Sequence, residues 1–501
     1  MSEKIIIKKI LSRDFSIFNN DSIPKDLENV MGWIDLPYEI NLYLNQSEKL
    51  NHYMKKNFLE SIVIVGIGGS INSAKAIYSL FSKKMFRFPV KFIDTINPDE
   101  IQTIFKNIKL KKTLFVISSK SGTTIETISL ENLIRKKYHD LDINPTLHII
   151  SITDENSPLH IRSKKSEFGM IITTKDKFGG RFSGLSQFGL ISIMLEKKIL
   201  YKILINTQEY IKKIRNNQNK NHTLELAKFI IRNLKKGKNK LTIISPKKYK
   251  YFNYWIEQLI AESTGKKSNA IIPICNENLL KLRDYSYDRQ FIFIHNSNSP
   301  SKKINQIYRQ LNSYNSPTFK IDFYNPNLIG KEMFKWQIIT ILISEHLKIN
   351  PFDQPDVESS KINTTKIIKR KLLNVEKSIF DLSKRAKKNN SLPTSQTEYI
   401  ALILFCKNND KILQIRESIT KKYKKCVSIG FGPQYLHSLG QLYKGGPKNN
   451  FVFCKIQFPK NDFVLPSFSY SLKELYLSQA LADLLEMEKR GIGLNVEVDN
   501  L

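Results

Sequence analysis

Between Val116 and Leu133 the chain reads VISSKSGTTIETISLENL, so a run of Ser118, Ser119, Lys120, Ser121, Gly122, Thr123 and Thr124 separates an apolar segment from an amphipathic one. A strand that ends in such a turn and opens a helix aims hydroxyls, backbone N–H groups and the positive end of a helix dipole at one point. That arrangement suits a phosphate monoester. Thr123 and Glu126 also have the spacing of a capping box, so these residues taken alone read equally well as an ordinary helix start. A nucleotide loop is disfavoured, because GxxxxGK followed by Ser or Thr is absent here and GIGGS at Gly66–Ser70 lacks GxGxxG spacing.

The turn needs a frame, and the surrounding pattern supplies one. Short β-branched runs alternate with longer amphipathic segments, as in parallel α/β sheets flanked by helices. SIVIV (Ser61–Val65) predicts a buried strand, GIGGS a turn, and INSAKAIYSLF a helix. Further strands are predicted at VKFID from Val90, TLFVIS from Thr113, LHIISIT from Leu147 and MIITT from Met170. The polar stretch Asn216–His222 predicts a loop or an exposed helix end, after which a second series starts with LTIIS from Leu241, FIFIH from Phe291 and FKIDF from Phe319. Beyond Ala386, KKNNSLPTSQTE reads as a linker to a third α/β portion with strands near CVSIGF and FVFCKIQF. No short repeat is present, although two copies of one α/β unit fit the pattern.

At 501 residues the chain is long enough for several domains with sizeable cores. No apolar run reaches the roughly 18 residues a membrane span requires, and MSEKIIIKKILSRDF lacks the core of a secretory signal. Cys275, Cys406, Cys426 and Cys454 show no CxxC spacing, which points away from zinc and disulfides and toward the reducing cytoplasm. The formal charge of +33 invites a nucleic-acid reading. Basic residues are nevertheless spread along the whole chain together with abundant Asn and Ile, as a base-biased genome would produce, so no specific nucleic-acid partner is expected. The excess would still attract anionic small molecules.

Six segments together resemble the glucose-6-phosphate isomerase family. They are VGIGGS (Val65–Ser70), SSKSGTTIET (Ser118–Thr127), FGGRFSGLS (Phe178–Ser186), AESTGK (Ala261–Lys266), NPFDQPDVESSK (Asn350–Lys361) and YLHSLGQLYKGGP (Tyr435–Pro447). The resemblance spans nearly the whole chain, and GGRFS and the FDQ segment are its most specific parts. It implies an α/β fold of two sugar-isomerase (SIS) parallel-sheet sandwich domains with helices on both faces, plus a C-terminal α/β portion. The corresponding boundaries are an N-terminal segment 1–50, SIS domains 51–204 and 205–385, and a C-terminal portion 386–501.

Carried over residue by residue, the resemblance assigns the sugar phosphate to Ser119, Lys120, Ser121 and Thr124, with Gly69 and Ser70 beside it and Gln354 at the mouth of the lysine helix. Arg181 would face the reacting carbons, where an untitrating cation suits a cis-enediolate. The two glycines before it would let backbone approach the ligand. Glu262 is the candidate base, and helical spacing over YKYFNYWIEQLIAESTGK places it in the last turn before Gly265, where apolar neighbours raise a carboxyl pKa. Lys361, about two turns into a helix that Pro355 starts, and His437 would manage ring opening and proton traffic at the sugar oxygens. Gln441 and Lys444 are expected to support them from behind.

The motif order departs from the commonly described members, in which the histidine motif precedes the lysine motif; here the order is Glu262, Lys361, His437. The C-terminal segments GFGPQYLHSLGQLYKGGP and LSQALADLLEMEKRG look like the isomerase half of transaldolase/isomerase fusions, with no length left for an aldolase barrel. The implied activity is cofactor-free, metal-free interconversion of glucose 6-phosphate and fructose 6-phosphate in glycolysis and gluconeogenesis, by a cytoplasmic homodimer with no membrane association. The alternatives are another SIS-type sugar-phosphate isomerase or a non-catalytic sugar-phosphate-binding protein.

Overall fold

Strands form where β-branched runs can be covered on both faces, and all of their pairings are parallel. The first sheet contains β1 (Ser61–Val65), β2 (Val90–Ile93), β3 (Thr113–Ser118), β4 (Ile149–Asp154) and β5 (Met170–Thr174) in the order β2-β1-β3-β4-β5. The second contains β6 (Lys240–Ile244), β7 (Ile272–Cys275), β8 (Arg289–His295) and β9 (Thr318–Asp322) in the order β7-β6-β8-β9. The third contains β10 (Tyr399–Phe405), β11 (Val427–Phe431), β12 (Asn450–Gln457) and β13 (Gly493–Asp499) in the order β11-β10-β12-β13. In each sheet the first strand lies between the second and the third. The chain therefore reverses its direction of growth beside the first strand, and such a switch point opens a crevice at the carboxyl ends of the strands.

This computed structural model describes residues 3–14, 16, 30–174, 178–216, 222–369, 374–388, 392–407, 409 and 411–499. The predicted loop at Asn216–His222 and the predicted linker after Ala386 lie partly outside the described residues. The two series of strands and the third α/β portion are present. The strand predicted from Leu147 starts at Ile149, because Pro145–Leu147 forms a 3-10 turn that Asn144 caps through Thr146 N.

Side chains that alternate along the strands divide the interior between layers. Ile62 and Ile64 of β1 enter a core that also holds Leu241 and Ile243 of the second sheet. Val63 and Val65 enter another that holds Ala401, Ile403 and Phe405 of the third. The first sheet is thus packed on both faces, each face entering a different core. The helices Glu358–Lys369 and Val375–Lys388 pack against the Leu472–Lys489 helix, and the second of them also covers β13. That C-terminal helix begins with a complete capping box, in which Ser471 Oγ accepts from Glu474 N and the Glu474 carboxylate accepts from Ser471 N. The helix Ile125–His139 has no such box. Thr124 is its N-cap without a side-chain bond, and the Glu126 carboxylate points elsewhere.

Candidate active site

Beyond the carboxyl ends of β1 and β5 two glycine turns touch. A Cβ on Gly69 would lie 2.4 Å from the carbonyl carbon of Gly180, and Ser183 Oγ donates to Gly69 O at 3.0 Å. The glycines of GGRFS therefore let this turn approach the GIGGS turn. Gly68 has φ +59°, and a Cβ there would come within 2.7 Å of His437. Backbone contact between the turns draws the β1 turn, the Arg181 turn and the His437 turn together.

The result is a cleft of about 610 Å³ whose wall includes Gly69, Ser70, Lys120, Ser121, Thr124 and Arg181, then Glu262, Gln354, Lys361 and His437. Glu262 sits in the last turn of the helix Lys250–Thr264, which is buried along nearly its whole length. Arg181 Nη1 lies 3.4 Å from Glu262 Oε2, and both side chains are almost fully buried. Burial raises the Glu262 pKa above its usual value against the pull of the Arg181 and His437 charges. The remaining Arg181 donors go to neutral oxygens: Nε to Ser263 Oγ at 3.0 Å and Pro351 O at 3.1 Å, Nη2 to Pro351 O at 2.6 Å and Asp353 O at 2.8 Å. A cation anchored mainly by carbonyls keeps its charge available to the cleft.

Opposite, His437 Nε2 lies 2.7 Å from Glu126 Oε1, which also accepts from Gln479 Nε2 at 2.7 Å. Burial alone would raise the Glu126 pKa; the His437 charge and these hydrogen bonds outweigh it and hold the carboxyl below its usual range. Gln258 joins the two halves of the site. Its Nε2 donates to His437 O at 2.8 Å and lies 3.4 Å from Glu262 Oε2, while its Oε1 accepts from Asn72 Nδ2 at 2.7 Å. Such a constellation can hold an anion at one end, move protons between two carbons through a carboxylate, and exchange a proton with a ring oxygen through an imidazole.

Two sequence expectations need correction, and two lysines of the cleft wall are already ion-paired. Ser119 is buried behind the turn, with its Oγ 3.5 Å from Thr124 Oγ1, so on this side of the cleft the wall takes its hydroxyls from Ser70, Ser121, Thr123 and Thr124. Lys120 faces the cleft while paired with Asp154 at 2.5 Å and lying over the Phe178 ring. Lys361 reaches the rim of the cleft from an exposed position and pairs with Glu358 at 3.1 Å; its helix, Glu358–Lys369, continues directly from the 3-10 turn Pro355–Val357. The Thr123/Glu126 capping box is absent, since the carboxylate is spent on His437 and Gln479. Sequence reasoning missed Gln258, Glu126 and Gln479 as site residues. Only Gln258 carried a signal, four residues before Glu262 on the same helix face.

Of the supporting pair, Gln441 Nε2 bridges Gly265 O at 2.8 Å and Asp356 Oδ2 at 2.7 Å. Lys444 is fully buried against Asp483 at 2.5 Å and Ser360 Oγ at 2.8 Å, which secures the helix that carries Lys361.

The family model for phosphoglucose isomerase matches residues 46–274. The chain is 27% identical over 402 residues to the glucose-6-phosphate isomerase of Methanocaldococcus jannaschii, covering 73% of this chain and 97% of the relative. It is also 27% identical over 393 residues to a probable glucose-6-phosphate isomerase of Methanococcus maripaludis, covering 69% and 87%. Among solved structures, a glucose-6-phosphate isomerase from Chlamydia trachomatis shares the fold with TM-score 0.57 at 18% identity, over 76% of this chain and 87% of that one.

Proposed function

We propose that this chain is a member of the phosphoglucose isomerase family whose model matches residues 46–274, and that its cleft interconverts glucose 6-phosphate and fructose 6-phosphate by proton transfer between C1 and C2. The observation that carries the reading is the buried Glu262 carboxylate beside the Arg181 guanidinium, facing the same cleft as the Ser121 and Thr124 hydroxyls. In this reading Ser70, Ser121 and Thr124 hold the phosphate, and the start of the helix Ile125–His139 adds its dipole. His437, held by Glu126, exchanges a proton with the ring oxygen and opens the sugar. Glu262 takes the C2 proton and returns it to C1, and Arg181 opposes the charge of the enediolate between the two steps. Lys361 approaches the sugar oxygens from the rim, and Gln354 borders its entrance.

This chemistry asks nothing of a cofactor. A cytoplasmic role in glycolysis and gluconeogenesis belongs to the same reading, as does a homodimer, which rests on family resemblance alone. In this reading His437 serves the cleft of its own chain, which its contacts with Gln258 and Glu126 support. Purified chain given fructose 6-phosphate, glucose-6-phosphate dehydrogenase and NADP should generate NADPH at a rate proportional to chain concentration. No NADPH above the chain-free control would overturn the proposal.

A further inference from the structure

Lys266, the last residue of AESTGK, is buried against the same turn that holds Arg181. Its Nζ donates to Asn350 O at 2.5 Å and to Asp353 Oδ1 at 2.6 Å. The same short turn supplies Arg181 with the carbonyls of Pro351 and Asp353. Two cations therefore grip one turn from two directions. Asp353 is divided between them, its carbonyl on Arg181 and its carboxylate on Lys266. Phe352, between these anchors, packs its ring against Phe182 of the Arg181 turn, with centroids 5.2 Å apart.

We infer that Lys266 is a positioning residue for Arg181, holding the Asn350–Asp353 turn in register and binding the Asp353 carboxylate so that it does not neutralise the guanidinium. The inference rests on the isomerase reading above. An arginine that must oppose a transient enediolate loses its effect if a fixed carboxylate compensates it first. Asp353 is the nearest candidate outside the Glu262 pair, since its carbonyl already touches Nη2. Lys266 removes that threat without contacting substrate.

The groups that face Lys266 are Arg181, Glu262 and Asp353. Burial and the Arg181 charge lower its pKa to about 8, against the opposing pull of Asp353 and Glu262. Its hold on the turn should accordingly weaken as pH rises through that value.

The experiment compares the full chain with Lys266→Met, Lys266→Arg and Lys266→Met/Asp353→Asn under steady-state kinetics with fructose 6-phosphate. Lys266→Met is expected to lower kcat at least tenfold with KM changed less than threefold, because the phosphate is held at the other end of the cleft. Adding Asp353→Asn should recover threefold or more of that loss, which a merely structural lysine would not allow. Lys266→Arg preserves size and charge and carries the test if the methionine variant folds poorly. The parent's kcat should fall on the alkaline side near pH 8, and the arginine variant should hold activity at least one pH unit further. A Lys266→Met kcat within twofold of the parent, a loss that Asp353→Asn leaves untouched, or an alkaline limb unmoved in Lys266→Arg overturns the inference. A parent chain with no turnover overturns the isomerase reading and this one with it, whereas an active parent beside an unaffected Lys266→Met overturns the role of Lys266 alone.

Discussion

His437 and Glu126 are 311 positions apart, yet the imidazole Nε2 meets the carboxylate at 2.7 Å. The histidine stands in a 3-10 turn after β11 of the third sheet, and the glutamate in the first turn of the helix that follows β3 of the first. A partly exposed imidazole that rests on a buried carboxylate has a defined orientation, and His437 forms part of the cleft wall.

On the proposed reading His437 serves the cleft of its own chain, which a complementation experiment reads directly. Glu262→Gln and His437→Ala should each lose most activity, and mixing the two purified variants under conditions of subunit exchange should recover none. Substantial recovery would mean that the histidine serves the neighbouring subunit.

Glu262→Gln should remove isomerisation while leaving sugar-phosphate binding intact, since the amide keeps the shape but accepts no proton. Loss of general-base catalysis corresponds to roughly 10²- to 10⁴-fold in kcat. Near-normal turnover in this variant would place the base elsewhere.

Burial raises the Glu262 pKa above 4.5, its usual value. The base must be ionised to act, so kcat/KM should climb with pH through a midpoint above 4.5 and fall as the carboxyl protonates below it. A profile already flat down to that pH would contradict the assignment.

Ser121→Ala/Thr124→Ala should weaken fructose 6-phosphate and a competitive phosphate-bearing inhibitor alike, because the lost hydrogen bonds serve the end that does not react. Each bond to a charged group contributes about 1.5 to 3 kcal/mol. Ser119→Ala, whose hydroxyl lies behind the turn, should cost clearly less. Equal inhibitor affinity in parent and double variant would move the phosphate to another part of the cleft.

Glu257, one helical turn before Ala261 and outside the proposed machinery, has its pKa raised by burial from 4.5 to about 8, against the opposing Arg416 charge and a hydrogen bond from the Cys275 backbone. The folded chain holds this proton more tightly than the unfolded one, so stability falls as pH rises from 4.5 to about 8 and levels off above. Glu257→Gln should raise the thermal midpoint relative to the parent at pH 8.5, and the advantage should shrink toward pH 5. An equal difference at both values would show that the carboxyl does not titrate across this window.

Much of the scaffold was legible because β-branched runs declare their strands locally. Of the three missed strands, β7, β10 and β13, two have specific reasons. β7 contains Pro273, which an edge position tolerates but which weakens the strand signal. β10, buried throughout, is an unbroken apolar run with no alternation to read. The Thr123/Glu126 spacing met the local rule for a capping box and still failed, because a buried carboxylate gains more from His437 and Gln479 than from a helix N-terminus.

The sequence by itself determined the parallel α/β architecture, the glycine turns, and the residue types from which a phosphate site and a base could be built. Those depend on spacing within a turn or two of chain, where backbone geometry leaves few choices. Tertiary structure alone decided that Glu126 serves His437, that Gln258 links His437 to Glu262, that Ser119 faces inward, that Lys361 stands at the rim, and that Lys266 shares one turn with Arg181. Each of these depends on how three separate sheets pack at the carboxyl ends of their strands, and packing pairs side chains by proximity in space, on which sequence spacing carries no information.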